Sequence, residues 1–252
     1  MKTPNIKCAI FIKNKFDLLS QSERKQVMGK NKIKRFAENQ TFGNVFQPTR
    51  EEMIEGFPLK GNWNKDFFKN DKPIVLELGC GKGEYTVGLA EKFPDKNFIG
   101  IDIKGARFWK GAKSAVESEM NNVAFIRTQI ELVDYAFAEN EVSEIWITFP
   151  DPQIKFKRTK HRLTHPEMLR KYHHVLNEKG IVHLKTDSEF LHGYTHGVIQ
   201  MEGHEVLLCN HNIYNPDNHE IPEEVTGIKT FYEQMFLKEN KNITYIRFAL
   251  KY

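Results

Sequence analysis

The sequence predicts an α/β fold, a mostly parallel sheet with helices on both faces. Three observations predict it. From Pro73 onward, apolar runs of four to seven residues alternate with longer helical patterns, as βαβ units require. The first run ends in a glycine turn that opens a helix. The second ends on a carboxylate, Asp102, and open α/β folds place their ligands at that strand edge.

The elements follow in order. Ile74 to Leu78 is the first run, and Glu84 to Phe93 reads as the helix after it. Asn97 to Ile101 is the second, leading into a helical stretch from about Lys104 to Glu119. Val123–Arg127, Glu144–Thr148, Ile181–Lys185 and Glu205–Cys209 continue the series, and Thr244–Leu250 closes it. Two polar stretches interrupt the pattern: FPDPQIKFKRTKHRLTH before a helix starting near Pro166, and Asn210 to Thr226. Both belong at the carboxyl edge of the sheet.

At roughly 150 residues per domain, 252 residues give one large domain with appendages. We assign residues 1–55 to a basic N-terminal extension, partly disordered, and 56–252 to the catalytic-type domain. Hydrophobic content of 40% with 28% charge describes a soluble chain with a substantial core. No run approaches the roughly 18 apolar residues of a membrane span, and MKTPNIKCAIFIKNK is too short in its apolar centre for a signal peptide. A cytoplasmic protein without membrane contact is expected. Cys8, Cys80 and Cys209 form no CxxC pair, which excludes a disulfide scaffold and a cysteine-rich zinc site.

The net charge of +4 is a poor average. Residues 1–50 hold eleven Lys/Arg against three Asp/Glu, and residues 155–174 hold seven against one. Two cationic segments on an acidic body point to a polyanionic partner, the loop at 155–174 guiding it and the tail acting as an auxiliary grip.

Glu77-Leu78-Gly79-Cys80-Gly81-Lys82-Gly83 joins strand to helix. The spacing is G-x-G-x-G, which is not the dinucleotide pattern, and no Ser/Thr follows Gly-Lys as in a P-loop. A carboxylate just before the turn repels pyrophosphate and suits an amino group. Asp102 is placed to accept hydrogen bonds from ribose hydroxyls. Together these describe a nucleoside site without a pyrophosphate, which S-adenosylmethionine fits.

Phe149-Pro150-Asp151-Pro152 follows the fourth run. Proline biases its predecessor to extended geometry, so Phe149 and Asp151 are both restricted and one carboxylate is held at a strand end. Lys155, Lys157, Arg158, Lys160 and Arg162 come directly after it, with Phe156, His161 and His165 among them. Such cations track phosphates, and an aromatic stacks on an extruded base.

In this order, ELGCGKG, Asp102, FPDP with its basic run, Lys185-Thr186-Asp187 and Thr230-Phe231-Tyr232-Glu233 resemble the bacterial tRNA (guanine-N7-)-methyltransferase family over about residues 40–250. The resemblance implies a class I methyltransferase (Rossmann-like) fold, seven strands with the last antiparallel, S-adenosylmethionine as donor and tRNA as partner. The methyl acceptor it implies is N7 of a guanosine in the variable loop. It further implies Asp151 as the catalytic acid, also in the cofactor site, with Glu77, Gly79, Gly81, Gly83, Asp102 and Gln129. Lys155, Asp187, Thr230, Phe231, Tyr232 and Glu233 match substrate contacts, and Lys157, Arg158, Lys160, His161 and Arg162 match the RNA-contacting run. Gln129 stands where the family usually has Asp or Asn, and Gln153 where it commonly has Trp. Lysine replaces most of the family's arginines, keeping charge but losing bidentate grips.

Guanine N7 carries a lone pair and needs no strong base, so the expected task is positioning and charge stabilisation, by Asp151 and Asp187. No metal is expected. His192 and His196 have zinc-like spacing on a helix, but no third ligand is evident in the sequence, and they read as structural or solvated. The chain is expected to act as a monomer or homodimer. Competing readings are a class I methyltransferase acting on ribosomal RNA or a small molecule, and a non-catalytic RNA-binding protein.

Overall fold

The structure, a computed structural model, describes residues 31–252. The strands are β1 (Val45–Phe46), β2 (Ile74–Leu78), β3 (Asn97–Ile101), β4 (Val123–Ile126), β5 (Val142–Thr148), β6 (Leu176–Thr186), β7 (Glu205–Asn210) and β8 (Thr244–Ala249). The helices are α1 (31–39), α2 (Arg50–Gly56), α3 (Glu84–Lys92), α4 (Gly105–Glu117), α5 (Val133–Ala136), α6 (Pro166–Val175), α7 (Glu189–Met201), α8 (Glu223–Gly227) and α9 (Phe231–Lys238).

The strands form one sheet in the order β1-β4-β3-β2-β5-β6-β8-β7. All neighbours from β1 to β6 run parallel, and β8 is antiparallel to both β6 and β7. This is the expected seven-stranded sheet with an antiparallel last strand, plus a two-residue edge strand. That extra strand pairs Val45 with Phe125 and lies within the segment assigned to the N-terminal extension. Residues 1–30 of that extension lie outside the described residues.

Every residue of β2, β3 and β4 is buried, because helices cover both faces. One core packs Trp63, Phe137, Leu169 and Leu191 on one face; the other packs Tyr85, Phe108, Ala112 and Trp146 on the opposite face. Trp63 anchors the chain before β2, stacking on Phe137 at 5.7 Å and donating its indole N–H to the Ala136 carbonyl at 3.1 Å. Helix α1 docks on α4 through Asn39, whose amide donates to the Gly105 carbonyl at 2.9 Å. Side chains cap four helices: Thr49 and Thr230 complete capping boxes with Glu52 and Glu233, Ser188 caps α7, and His165 Nδ1 accepts the Glu167 N–H at the start of α6. Among the described residues, no helix is long and apolar enough to cross a membrane.

Candidate active site

Because β2 to β6 run parallel, their carboxyl ends share one edge, and the predicted residues collect there. The glycine turn follows β2, Asp102 follows β3, Gln129 follows β4, Asp151 follows β5 and Asp187 follows β6.

The turn is tied to the neighbouring strand. Gly79 and Cys80 both donate backbone N–H groups to the Ile101 carbonyl, at 2.8 and 3.1 Å. Gly79, Gly81 and Gly83 have φ of 77°, 56° and 73°, a region that a side chain penalises. Asp102 closes the connection: Oδ2 accepts the Gly81 N–H at 3.0 Å and Oδ1 the Lys104 N–H at 2.7 Å. Gly83 has a different task. A Cβ there would meet Phe125 at 2.7 Å and Gly111 at 3.2 Å, so this glycine lets α3 and α4 pack closely.

Glu77 is 3% exposed in the middle of the sheet. It accepts the Thr148 hydroxyl at 2.6 Å, the Thr86 backbone N–H at 2.8 Å and the Thr86 hydroxyl. Burial nevertheless pushes its carboxyl up to about 7, while those bonds pull the other way. A cleft opens over it, lined by Gly79, Gly81, Thr148, Thr230 and Tyr232. Glu84 closes one side by accepting the Phe231 N–H at 2.8 Å, and the Lys82 ammonium lies 3.4 Å from the Phe231 ring centroid.

Asp151 is exposed, and its Oδ1 accepts the Gln153 N–H at 3.0 Å. Phe149 departs from the extended geometry expected before proline: its φ is 48°, and that of Gln153 is 46°. Its N–H donates to the Lys185 carbonyl at 2.8 Å, and that bond to β6 helps hold the turn. Asp187 is half-buried, which raises its carboxyl, and Lys241 lies 3.9 Å away. Gln129 is exposed and accepts from Arg50 at 2.8 Å.

The basic loop divides in two. Lys155, Lys157, Arg158, Lys160 and His161 are exposed, with Phe156 standing 93% exposed among them. Arg162, expected with the RNA-contacting residues, is instead 5% exposed. Its guanidinium donates to the Gln153 carbonyl at 3.1 and 3.3 Å and lies over the Tyr194 ring at 4.3 Å, so it anchors the loop from beneath.

Glu233 also departs from its expected role as a substrate contact, because it is fully buried. It pairs with Lys185 at 2.7 Å and accepts the Tyr214 hydroxyl at 2.6 Å. Thr230 and Tyr232 line the cleft, while Phe231 is part-exposed at its rim. Sequence reasoning gave no role to Lys185, Thr148, Thr86 or Tyr214. For Lys185 a signal existed: a lysine inside an apolar run needs a buried partner. For the threonines and Tyr214 there was none.

A buried acid beneath an open cleft and a second at the next strand end, on a sheet in which only the pairings of β8 are antiparallel, define a class I methyltransferase. Residues 71–246 match the family described as "Putative methyltransferase". The chain is 67% identical to a tRNA (guanine-N(7)-)-methyltransferase of Christiangramia forsetii, over 88% of this chain and 99% of that one. It is 51% identical to a protein of the same name from Bacteroides fragilis, over 88% and 87%. The crystal structure of the 16S rRNA methyltransferase KamB has the same fold, with a TM-score of 0.57 at 15% identity over 75% of this chain and 92% of that one. The chain belongs to the tRNA (guanine-N(7)-)-methyltransferase family, and it is an enzyme.

Proposed function

We propose that this enzyme transfers a methyl group from S-adenosylmethionine to N7 of a guanine in tRNA, in the variable loop, and that Asp151 is its catalytic residue. The observation that carries the reading is the collection of Glu77, Asp102, Asp151 and Asp187 on one sheet edge beside an exposed cationic loop. The cleft fits the cofactor chemically. Glu77 lines it as an acceptor, and Asp102, bonded to the Gly81 N–H of that lining, has each oxygen engaged by one backbone N–H, leaving lone pairs for hydroxyls. When bound, S-adenosylmethionine supplies a methyl group on a sulfonium.

This chain's residues then bind, orient and stabilise. Glu77 answers the positive charge of the cofactor, and ionising it costs least when that charge is present. Asp102 holds the glycine turn open for a ribose. Asp151 and Asp187 are acceptors for the N–H groups on the guanine edge, and both are anionic partners for a purine that becomes cationic. Exposed Lys155, Lys157, Arg158 and Lys160 follow the RNA backbone, and Phe231 and Tyr232 offer aromatic faces to the base. The enzyme acts in the cytoplasm, as a monomer or homodimer.

Methyl transfer from labelled cofactor to tRNA transcripts, with mapping of the product base, tests the proposal. The expected product is 7-methylguanine in the variable loop. Label at another base, or no transfer to tRNA while ribosomal RNA offered in parallel is labelled, overturns it.

A further inference from the structure

The fold assembles a ligand set that the sequence does not display. His192 in α7, Cys209 in β7 and His211 just beyond it converge, their donor atoms all within 4.8 Å of one another. The Cys209 sulfur lies 3.7 Å from His192 Nε2, and the two imidazole rings are 4.5 Å apart, centroid to centroid. With metal–sulfur and metal–nitrogen bonds of about 2.3 and 2.0 Å, a tetrahedral N–S edge is about 3.5 Å, so this pair already stands close to ligand spacing. We propose that His192, Cys209 and His211 bind a divalent cation of the zinc class, completed by water, which fastens the loop after β7 to α7.

The donor chemistry selects the ion. Two imidazoles and one thiol are borderline ligands that favour zinc over calcium or magnesium, which take oxygen. Burial lowers His192 to about 4, with His211 and His196 adding to the shift and a hydrogen bond to the Tyr245 backbone opposing it. Its imidazole is therefore neutral at neutral pH and needs no proton removed before binding. Burial pushes the Cys209 thiol up, so it is a poor free nucleophile, and binding must release its proton to solvent.

His211 sits on a braced turn. Asn210 Oδ1 accepts the Asn212 N–H at 2.8 Å, and Asn210 Nδ2 donates to Asn218 Oδ1 at 3.1 Å. The same loop carries Tyr214, whose hydroxyl reaches Glu233 at the base of α9. A clip at His211 thus steadies the segment that positions Thr230 and Tyr232. The ion is structural and takes no part in methyl transfer, so its test is independent of the proposed activity.

The full chain, stripped with a chelator, is titrated with Co2+ and with Zn2+ against a chromophoric competitor. One equivalent is expected, with four-coordinate cobalt bands in the visible and a thiolate-to-cobalt charge-transfer band. Cys209→Ser abolishes that band. Exposed His211→Ala weakens binding at least ten-fold, since losing a ligand costs no less than losing an outer-shell partner, about ten-fold. Circular dichroism of both variants stays that of the parent. Absence of stoichiometric binding, a charge-transfer band that survives in Cys209→Ser, or parental affinity in His211→Ala overturns the proposal.

Discussion

Lys185 and Glu233, 48 residues apart, form an ion pair 2.7 Å long with both side chains fully buried. The lysine also donates to the Val225 and Ile228 carbonyls, and burial lowers its pKa against the pull of Glu233. Glu233 in turn receives the Thr230 N–H in the capping box of α9. One pair therefore joins β6, the loop after α8 and the helix that forms the wall of the cleft.

Breaking that pair strands a charge in the interior, at a cost of about 3–5 kcal/mol. Glu233→Ala is expected to lose that much in urea unfolding, and Lys185→Met with Glu233→Leu to recover most of it. A loss below about 1 kcal/mol would place the pair in solvent.

Glu77 gives a pH dependence. Its folded carboxyl is raised from 4.5 to about 7, so between these values the folded chain keeps a proton that the unfolded chain has released. The contribution to stability is therefore nil below 4.5, falls as pH rises through the window, and is fully unfavourable above about 7. Chemical unfolding of parent and Glu77→Gln across this window should show the parent losing stability more steeply. Parallel curves would return the group to an ordinary carboxylate.

Asp151→Ala is expected to reduce turnover roughly 100-fold or more, the scale for losing one preorganised charge stabiliser, with little change in tRNA affinity. Single-turnover kinetics beside filter binding separates the two, and near-parental turnover removes Asp151 from the chemistry.

Asp102→Ala removes a charged acceptor worth about 1.5–3 kcal/mol and releases Gly81, so cofactor affinity should fall at least about ten-fold by calorimetry. Unchanged affinity takes Asp102 out of the site.

The basic loop yields a contrast. Lys157→Ala and Lys160→Ala should each lower the salt slope of tRNA binding by about one. Arg162→Ala should leave the slope alone and instead loosen the loop, read as faster proteolysis after Gln153, because its guanidinium is spent on the Gln153 carbonyl. A lowered slope in Arg162→Ala would mean that the residue turns outward to RNA.

Much of this was legible locally. Ile74–Leu78 and Asn97–Ile101 were read to the residue, because short apolar runs bounded by turn formers carry their own limits. Phe149 departs from the extended geometry that proline favours in its predecessor: the rule is a local preference, and here a hydrogen bond to β6 accompanies the left-handed turn. Gly83 belongs to the same glycine turn as Gly79 and Gly81, but what it faces, Phe125 and Gly111, comes from elsewhere in the chain.

The sequence by itself determined the α/β order, the glycine turn and the acids that end its strands, since periodicity and turn chemistry act over a few residues. Tertiary structure alone decided which of several chemically equivalent residues do what. Arg162 and Lys160 are both cations of one loop, yet only Arg162 lies beneath it, and only packing brings His192 to Cys209 and His211. Which segment covers a residue and which side chain partners it are set by parts distant in the chain; a local pattern such as the apolar run around Lys185 signals that a partner is needed but not which one.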